Sequence, residues 1–506
     1  MAQEQRRRWA LAVFGLALLA RLVLVWSPME TQIAKTIPDD AYYYFLTARN
    51  ILEGEGFSID GRNGSNGWHP LWMLVNLAVF AMTPEALGPN APIYVLLTLA
   101  ALCDSAVAAL LFLQLRSHLP PVPALTGGLA YAFNGMLIFQ AGNGLETALS
   151  ALCLALAWWQ SLRFIADPRP RQALLWGAAF GLTFLARTDN ALILVPLGLY
   201  VLWRLPTAKR PWVGVAGVLA ALLISPWWVW NQVQFGSPFV QVSSIAVPYA
   251  VRERFSAANP DSPLWELGLN TLTRPYIWLS GEVLGAIPLL SIPLWGLALY
   301  GFWRSWRTSP SAHIGLLLLA GGLALIFVHT FIRAYPRTWY FAVMGTALAF
   351  GLAHFVATFH KAGRRFLYMI VCLEMLLFGT AFMWPQGYHP WQADQYAAGL
   401  WARDNTPPDA VLASINTGLI AYYSGRTVIN MDGVVNPQAF EAIQARRMVD
   451  YMREEGVQLF IEFDYFIHEE YALFMGAGYR EALRESALIA ENEHFGGMRA
   501  YTLTPR

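Results

Sequence analysis

The chain has 506 residues, 56% of them hydrophobic and 13% charged, with 21 tryptophans and a net charge of +1. Soluble domains carry roughly twice that charged fraction, so the composition excludes a soluble globular protein and points to a polytopic membrane protein. The net charge by itself says nothing about nucleic acid, but no basic stripe points to one, and Cys103, Cys153 and Cys372, all inside apolar runs, read as small core residues with no disulfide framework and no zinc spacing.

The N-terminus opens with Arg6-Arg7-Arg8 and an apolar stretch from Trp9 to Trp26. It has the charged and apolar parts of a signal peptide, but Ser27-Pro28-Met29-Glu30 is a poor cleavage site. We read it as an uncleaved first helix with its basic end in the cytoplasm. The stretch from Pro38 to Trp72 that follows is the longest polar segment in the first half of the chain. It begins with Asp39-Asp40 and closes with Asn66-Gly67-Trp68-His69-Pro70. Pro70 to Met82 is too short to cross a bilayer of about 30 Å comfortably and is expected to be re-entrant or interfacial.

Further apolar runs near 91–115, 122–141, 146–165, 171–187, 190–204, 212–230, 276–303, 313–331, 339–358 and 365–383 bring the expectation to about eleven transmembrane helices. With the N-terminus inside, the cytoplasmic loops carry Arg116; Arg163, Arg169 and Arg171; Arg204, Lys209 and Arg210; Arg304 and Arg307; and Lys361, Arg364 and Arg365. Each of these loops is basic, as the positive-inside rule requires. The first loop, 27–90, and the C-terminus then lie outside. After Met383 the composition becomes charged. Strands are expected at 411–415, 427–431 and 457–463, and helices at 392–404, 437–455 and 468–484. The expected organisation is a transmembrane domain, 1–384, followed by an extracytoplasmic α/β domain, 385–506.

The outer face collects the residues with chemistry. Asp39 and Asp40 start a helix whose apolar face is Ala41, Tyr44, Phe45, Ala48 and Leu52. They are either capping carboxylates or a general base with its partner. Glu146 follows the turn Gly142-Asn143-Gly144 and is either a helix N-terminal charge or an acid facing Asp39. Arg187, Arg333 and Arg337, with Tyr335 and Tyr340, are cations placed against the topological bias. Headgroup snorkelling accounts for any one of them; together they suit an anionic ligand at the membrane surface. His69 in its turn has a plain structural reading. Asp104 and Glu374 fall mid-span, where each needs a partner on a neighbouring helix. Asn430-Met431-Asp432-Gly433 is a strand-end turn that could face the membrane domain, although a simple turn suffices to explain it.

Together, Asp39-Asp40, the Tyr-rich helix ending in Ala48-Arg49-Asn50, Gly54-Glu55-Gly56-Phe57 and Asn66-Gly67-Trp68-His69-Pro70-Leu71 resemble the first loop of the GT-C superfamily. The similarity is greatest to its protein O-mannosyltransferase and aminoarabinose transferase branch. Mycobacterial arabinofuranosyltransferases open similarly. The resemblance implies a mainly α, GT-C-like membrane fold with a C-terminal extracytoplasmic domain. It also implies transfer of a hexose or pentose from a polyprenyl-phosphate donor to a glycan, lipid or protein acceptor, in a bacterial inner membrane. By that resemblance Asp39 is the catalytic base, with Asp40 and Glu146 beside it. Arg337 with Tyr340 resembles the late Arg/Tyr position near the donor phosphate, His69-Pro70 resembles the His/Lys-Pro after the first loop, and 187–190 matches most weakly; our reading adds Arg187 and Arg333 to the phosphate site and places Tyr43, Asn66 and His69 in the substrate pocket. Asp39, Asp40 and Glu146 leave a divalent metal open, since three carboxylates without a defined spacing do not decide it. The rival readings are a non-enzymatic lipid-linked glycan carrier or flippase and a periplasmic interaction scaffold.

Overall fold

The computed structural model describes residues 2–273, 288–359, 362–383 and 389–504. The first half of the chain runs α1 Ala2–Val25, α2 Met29–Lys35, α3 Asp39–Glu53, α4 Pro70–Met82, α5 Ala91–Arg116, α6 Pro121–Phe133, α7 Gly135–Ala141, α8 Thr147–Ala166 and α9 Pro170–Ala186. It continues through α10 Ala191–Arg204, α11 Pro211–Phe235, α12 Ala246–Ala258, α13 Leu264–Thr273, α14 Pro288–Ser305, α15 Pro310–Ile326, α16 Ala342–Ala357 and α17 Gly363–Met383. Each of the eleven expected ranges is thus helical where it is described; 276–287 lies outside the described residues. Among the described residues six helices are long and apolar enough to cross a membrane alone, and α6 with α7, bent by 54° at Asn134, makes a seventh. Four expected spans, α9, α10, α14 and α17, are not in this set; α9 has 17 residues and α10 has 14, with Pro196 inside. The 13-residue α4 is a short apolar helix packed against α3, as its length demanded.

The bundle is organised around α16, whose residues Val343 to Val356 are all buried. A helix that is apolar on every side has neighbours on every side, and α6, α14 and α15 pack around it. The mid-span acid Asp104 finds its partner in the first helix. Arg21 Nε donates to Asp104 at 2.7 Å, and Tyr131 Oη donates to its other oxygen at 2.6 Å. A charge inside a bundle persists only when paired in this way. Glu374 is buried beside Asn134, at the α6–α7 bend.

The C-terminal domain holds a five-stranded sheet in the order β2-β1-β3-β5-β4. β1 Val411–Ser414, β2 Thr427–Asn430 and β3 Leu459–Phe463 are parallel, and β5 Gly496–Leu503 runs antiparallel to both β3 and β4 Leu483–Asn492. Its helices include α18 Gln392–Asn405, α19 Gly418–Ser424, α20 Pro437–Gln444 and α21 Met448–Glu454. The three expected strands are present. The expected helix 437–455 is broken, because Arg446 adopts φ +54° between α20 and α21. The expected helix 468–484 is reduced to short turns, and the β4–β5 hairpin that follows was not anticipated.

Candidate active site

The first loop is clamped between the bundle and the C-terminal domain, and α3 is the wedge. Consecutive residues on a helix point about 100° apart, so Asp39 and Asp40 face different surroundings. Asp39 is turned to the C-terminal domain. Its carboxylate accepts the Gly418 N–H at 3.0 Å and the Leu419 N–H at 2.7 Å, capping the first turn of α19. Its own backbone N–H donates to Gln392 Oε1 at 2.8 Å. A Cβ on Gly418 would sit 2.4 Å from the Asp39 carbonyl oxygen, so only glycine permits this approach. Burial raises the Asp39 carboxyl to about 6, against the lowering effect of the two N–H groups.

Asp40 instead lines a cavity of about 160 Å³ between the two domains. Its wall includes Tyr43, Tyr44, His69, Glu146, Arg187, Asp189, His329, Arg333, Arg337 and Tyr340, with Asn416, Asp432 and Val434 from the C-terminal domain. Burial raises the Asp40 carboxyl above its ordinary value of 3.8; Arg337 pulls it down and Glu146 pushes it up. Thus Asp39, expected to be the base, does not line the cavity and has its carboxylate held by backbone N–H groups and the Tyr43 hydroxyl, while its neighbour faces in.

Glu146 and Arg187 form the floor. Arg187 Nη1 donates to Glu146 at 2.6 Å, and its other face donates to Asp189 at 3.0 and 2.5 Å. Tyr44 Oη donates to Glu146 at 2.8 Å and accepts the His69 N–H at 2.8 Å. Asp189 is held well below the usual carboxylate range, since Arg187 and the His329 hydrogen bond outweigh its burial. Burial lowers the His69 imidazole, so the ring is neutral at physiological pH. Arg187 was expected to clamp a phosphate; the structure places it between two carboxylates, where its charge is already matched.

Arg333 and Arg337 differ. Neither has a carboxylate within ion-pair distance among the described residues. The Arg333 Nε is buried without a hydrogen-bond partner. Arg337 lies over the Tyr335 ring at 4.0 Å and hydrogen-bonds its hydroxyl. Both sit on an irregular segment. α15 ends in a π-helical turn, Phe327–Ile332, and Ala334 adopts φ +53°. Such turns and left-handed non-glycine residues cluster at functional sites. Here they bring His329, Arg333 and Arg337 to one cavity, with the His329 ring stacked on Tyr340 at 4.0 Å.

Tyr43 and His69 line the cavity as expected, but Asn66 does not. Its amide donates to Asn231 at 2.9 Å and accepts the Val242 N–H at 3.1 Å, so it fixes the loop after α11. His329 was missed because it lies at the end of an apolar run; a lone imidazole there was the available signal. Among the described residues no group of three His, Cys, Asp or Glu is placed to hold a metal ion. The Gly418 and Leu419 N–H groups hold Asp39, and Arg187 and Tyr44 hold Glu146, so the three carboxylates for which a metal was left open do not fit a divalent cation.

Residues 86–230 match the dolichyl-phosphate-mannose-protein mannosyltransferase family (PMT_2), and residues 386–503 match a domain family of unknown function (DUF8728). No curated protein matches the chain by sequence. Solved structures do match by fold. The oligosaccharyltransferase of Archaeoglobus fulgidus, solved with zinc and sulfate, aligns with TM-score 0.61 at 14% identity, over 98% of this chain and 73% of its own. ArnT of Cupriavidus metallidurans, bound to undecaprenyl phosphate, aligns with TM-score 0.59 at 13% identity, over 97% and 98%. The chain has the GT-C fold. Mycobacterial arabinofuranosyltransferase AftD also aligns, with TM-score 0.54 at 14% identity, over 99% of this chain and 40% of its own. In this GT-C chain the mannosyltransferase-like segment runs from α5 to α11 and supplies Glu146, Arg187 and Asp189. The first-loop acids and the late arginines lie outside that matched segment.

Proposed function

We propose that the protein is a membrane glycosyltransferase of a bacterial inner membrane, with its N-terminus in the cytoplasm and its C-terminal domain outside. It moves a sugar from a polyprenyl-phosphate donor to an extracytoplasmic acceptor, with Asp40 as the base. The observation that carries this reading is the single cavity in which Asp40 meets two arginines, Arg333 and Arg337, that have no acidic partner among the described residues.

The chemistry follows from the residue types. The acceptor O–H is a weak nucleophile; its proton passes to the Asp40 carboxylate as its oxygen attacks the anomeric carbon. The bond from that carbon to the phosphate oxygen breaks, and the electron pair leaves on the phosphate. That leaving group is stable at neutral pH and needs positive charge rather than an acid. Guanidinium groups supply it with paired N–H donors. One in-line displacement inverts the anomeric centre. Glu146, paired with Arg187 and Tyr44, orients the floor of the site and is not a second base. The polyprenyl phosphate bound by ArnT is consistent with the donor class.

A base of this kind is worth roughly 10²–10⁴-fold in rate. Asp40→Asn should lose turnover of that order with a supplied glycosyl polyprenyl phosphate, while Asp39→Asn retains a measurable fraction. Full turnover in Asp40→Asn would contradict the assignment. Lipid binding by the wild type without any transfer would move the weight to a carrier, which needs the arginines but no base.

A further inference from the structure

The C-terminal domain does more than cover the cavity. Its parallel strands end at the membrane domain, and the residues just beyond two of them enter the site: Asn416 after β1 and Asp432 after β2. Ligands of open α/β sheets sit outside the carboxyl ends of the strands. Both residues are built in rather than draped over. Glu462 on β3 accepts the Ile415 and Asn416 N–H groups at 2.9 and 2.8 Å and the Ser414 hydroxyl at 3.1 Å, which fixes the loop carrying Asn416. The Asn416 side-chain oxygen receives no hydrogen bond among the described residues. Asp432 is 9% exposed and accepts the Val434 N–H at 2.8 Å, with Asn430 alongside and no cation paired to it among the described residues. The first loop reaches the same turn: a Cβ on Gly67 would lie 2.6 Å from the Val434 carbonyl oxygen.

Asp432 belongs to the base's end of the cavity. The charged groups that act on it are Asp40 and Asp39, whereas those that act on Asp40 include Arg337. A phosphate belongs with the arginines, so the ligand beside Asp432 is the acceptor. We propose that the C-terminal domain is the acceptor-reading half of the site, with Asn416 and Asp432 hydrogen-bonding the hydroxyls of a saccharide acceptor that flank the one deprotonated by Asp40. This rests on the transferase reading above. A saccharide is favoured over a serine or threonine side chain because it presents hydroxyls on both sides of the nucleophile. Asp432 and Asn416 supply the fixed polar partners those neighbours need. Burial raises the Asp432 carboxyl to about 8; a neutral carboxyl both donates and accepts, which suits a hydroxyl.

The test is binding of methyl glycosides (mannoside, glucoside and arabinofuranoside) to the full chain in detergent, read by saturation-transfer NMR. Polyprenyl phosphate binding is measured on the same samples. Wild type should bind at least one glycoside saturably. Asp432→Ala and Asn416→Ala should weaken it by roughly tenfold or more, the loss of one buried polar partner, with lipid binding unchanged. Asp432→Asn, which keeps the shape, should retain part of the affinity. Retained lipid binding confirms that a variant is folded. Lipid binding without glycoside binding, or glycoside binding that ignores all three substitutions, overturns the inference and leaves the transferase reading standing. Binding of a Ser/Thr peptide that depends on Asp432 overturns the saccharide class. If neither lipid nor glycoside binds, the transferase reading falls and this inference falls with it.

Discussion

At the scale of single residues, the separation of Asp39 from Asp40 carries the account. The two carboxyls are adjacent in sequence, but one caps a helix of the C-terminal domain and the other faces Arg337 across a cavity. The proposed base Asp40 works only when ionised, and burial moves its acidic limb in kcat up from the ordinary aspartate value. Arg337 opposes that rise. Arg337→Ala should therefore move the limb further up in pH, besides weakening the donor; a limb that stays in place would separate the two residues. Asp432 gives a stability signature with its own sign. Its folded value of about 8 exceeds the unfolded value near 3.8, so the neutral acid favours the fold. That contribution is full below the unfolded value and is lost as pH rises through 8. Asp432→Asn is neutral at every pH, so its melting temperature should gain on wild type between pH 5 and 8.5. An unchanged difference across that range would show that Asp432 titrates as an exposed acid.

At the scale of elements, the first loop and the C-terminal domain behave as one docked unit. Asp39, Gln392 and Gly418 form the contact, and the Tyr42 hydroxyl meets Tyr423 at 3.3 Å beside it. Gly418→Ala forces a side chain into the Asp39 backbone and should undock the domain. Limited proteolysis should then release the C-terminal domain faster than in wild type, and Asp39→Ala should show the same change more weakly. Equal cleavage rates would show that other contacts suffice, such as Arg254 with Glu470 at 3.1 Å. This is also where sequence reasoning reached its limit. The loop's motif was legible in its Asp, Gly and His residues. The direction of each carboxylate was not, since it depends on contacts with a domain 353 or more residues away. The pairing of Arg187 was hidden for a related reason: a cation in a loop looks free until Glu146 and Asp189 are brought beside it. The helix ranges were legible because apolar length is a local property. The β4–β5 hairpin was not, because charged residues interrupt its alternation on the exposed face.

At the scale of the whole molecule, a GT-C bundle holds the acidic loop and the late arginines at one end, and the C-terminal sheet closes over them. The proposed division of labour is then donor phosphate at Arg333 and Arg337, base at Asp40, and acceptor at the strand ends of the C-terminal domain. The most direct measurement of the central claim is mass spectrometry of lipids that co-purify with wild type, Asp40→Asn and the double variant Arg333→Ala/Arg337→Ala. The account predicts a polyprenyl phosphate still carrying its sugar in Asp40→Asn, and little isoprenoid in the double variant. Ordinary phospholipid in every sample, with no isoprenoid, would contradict it.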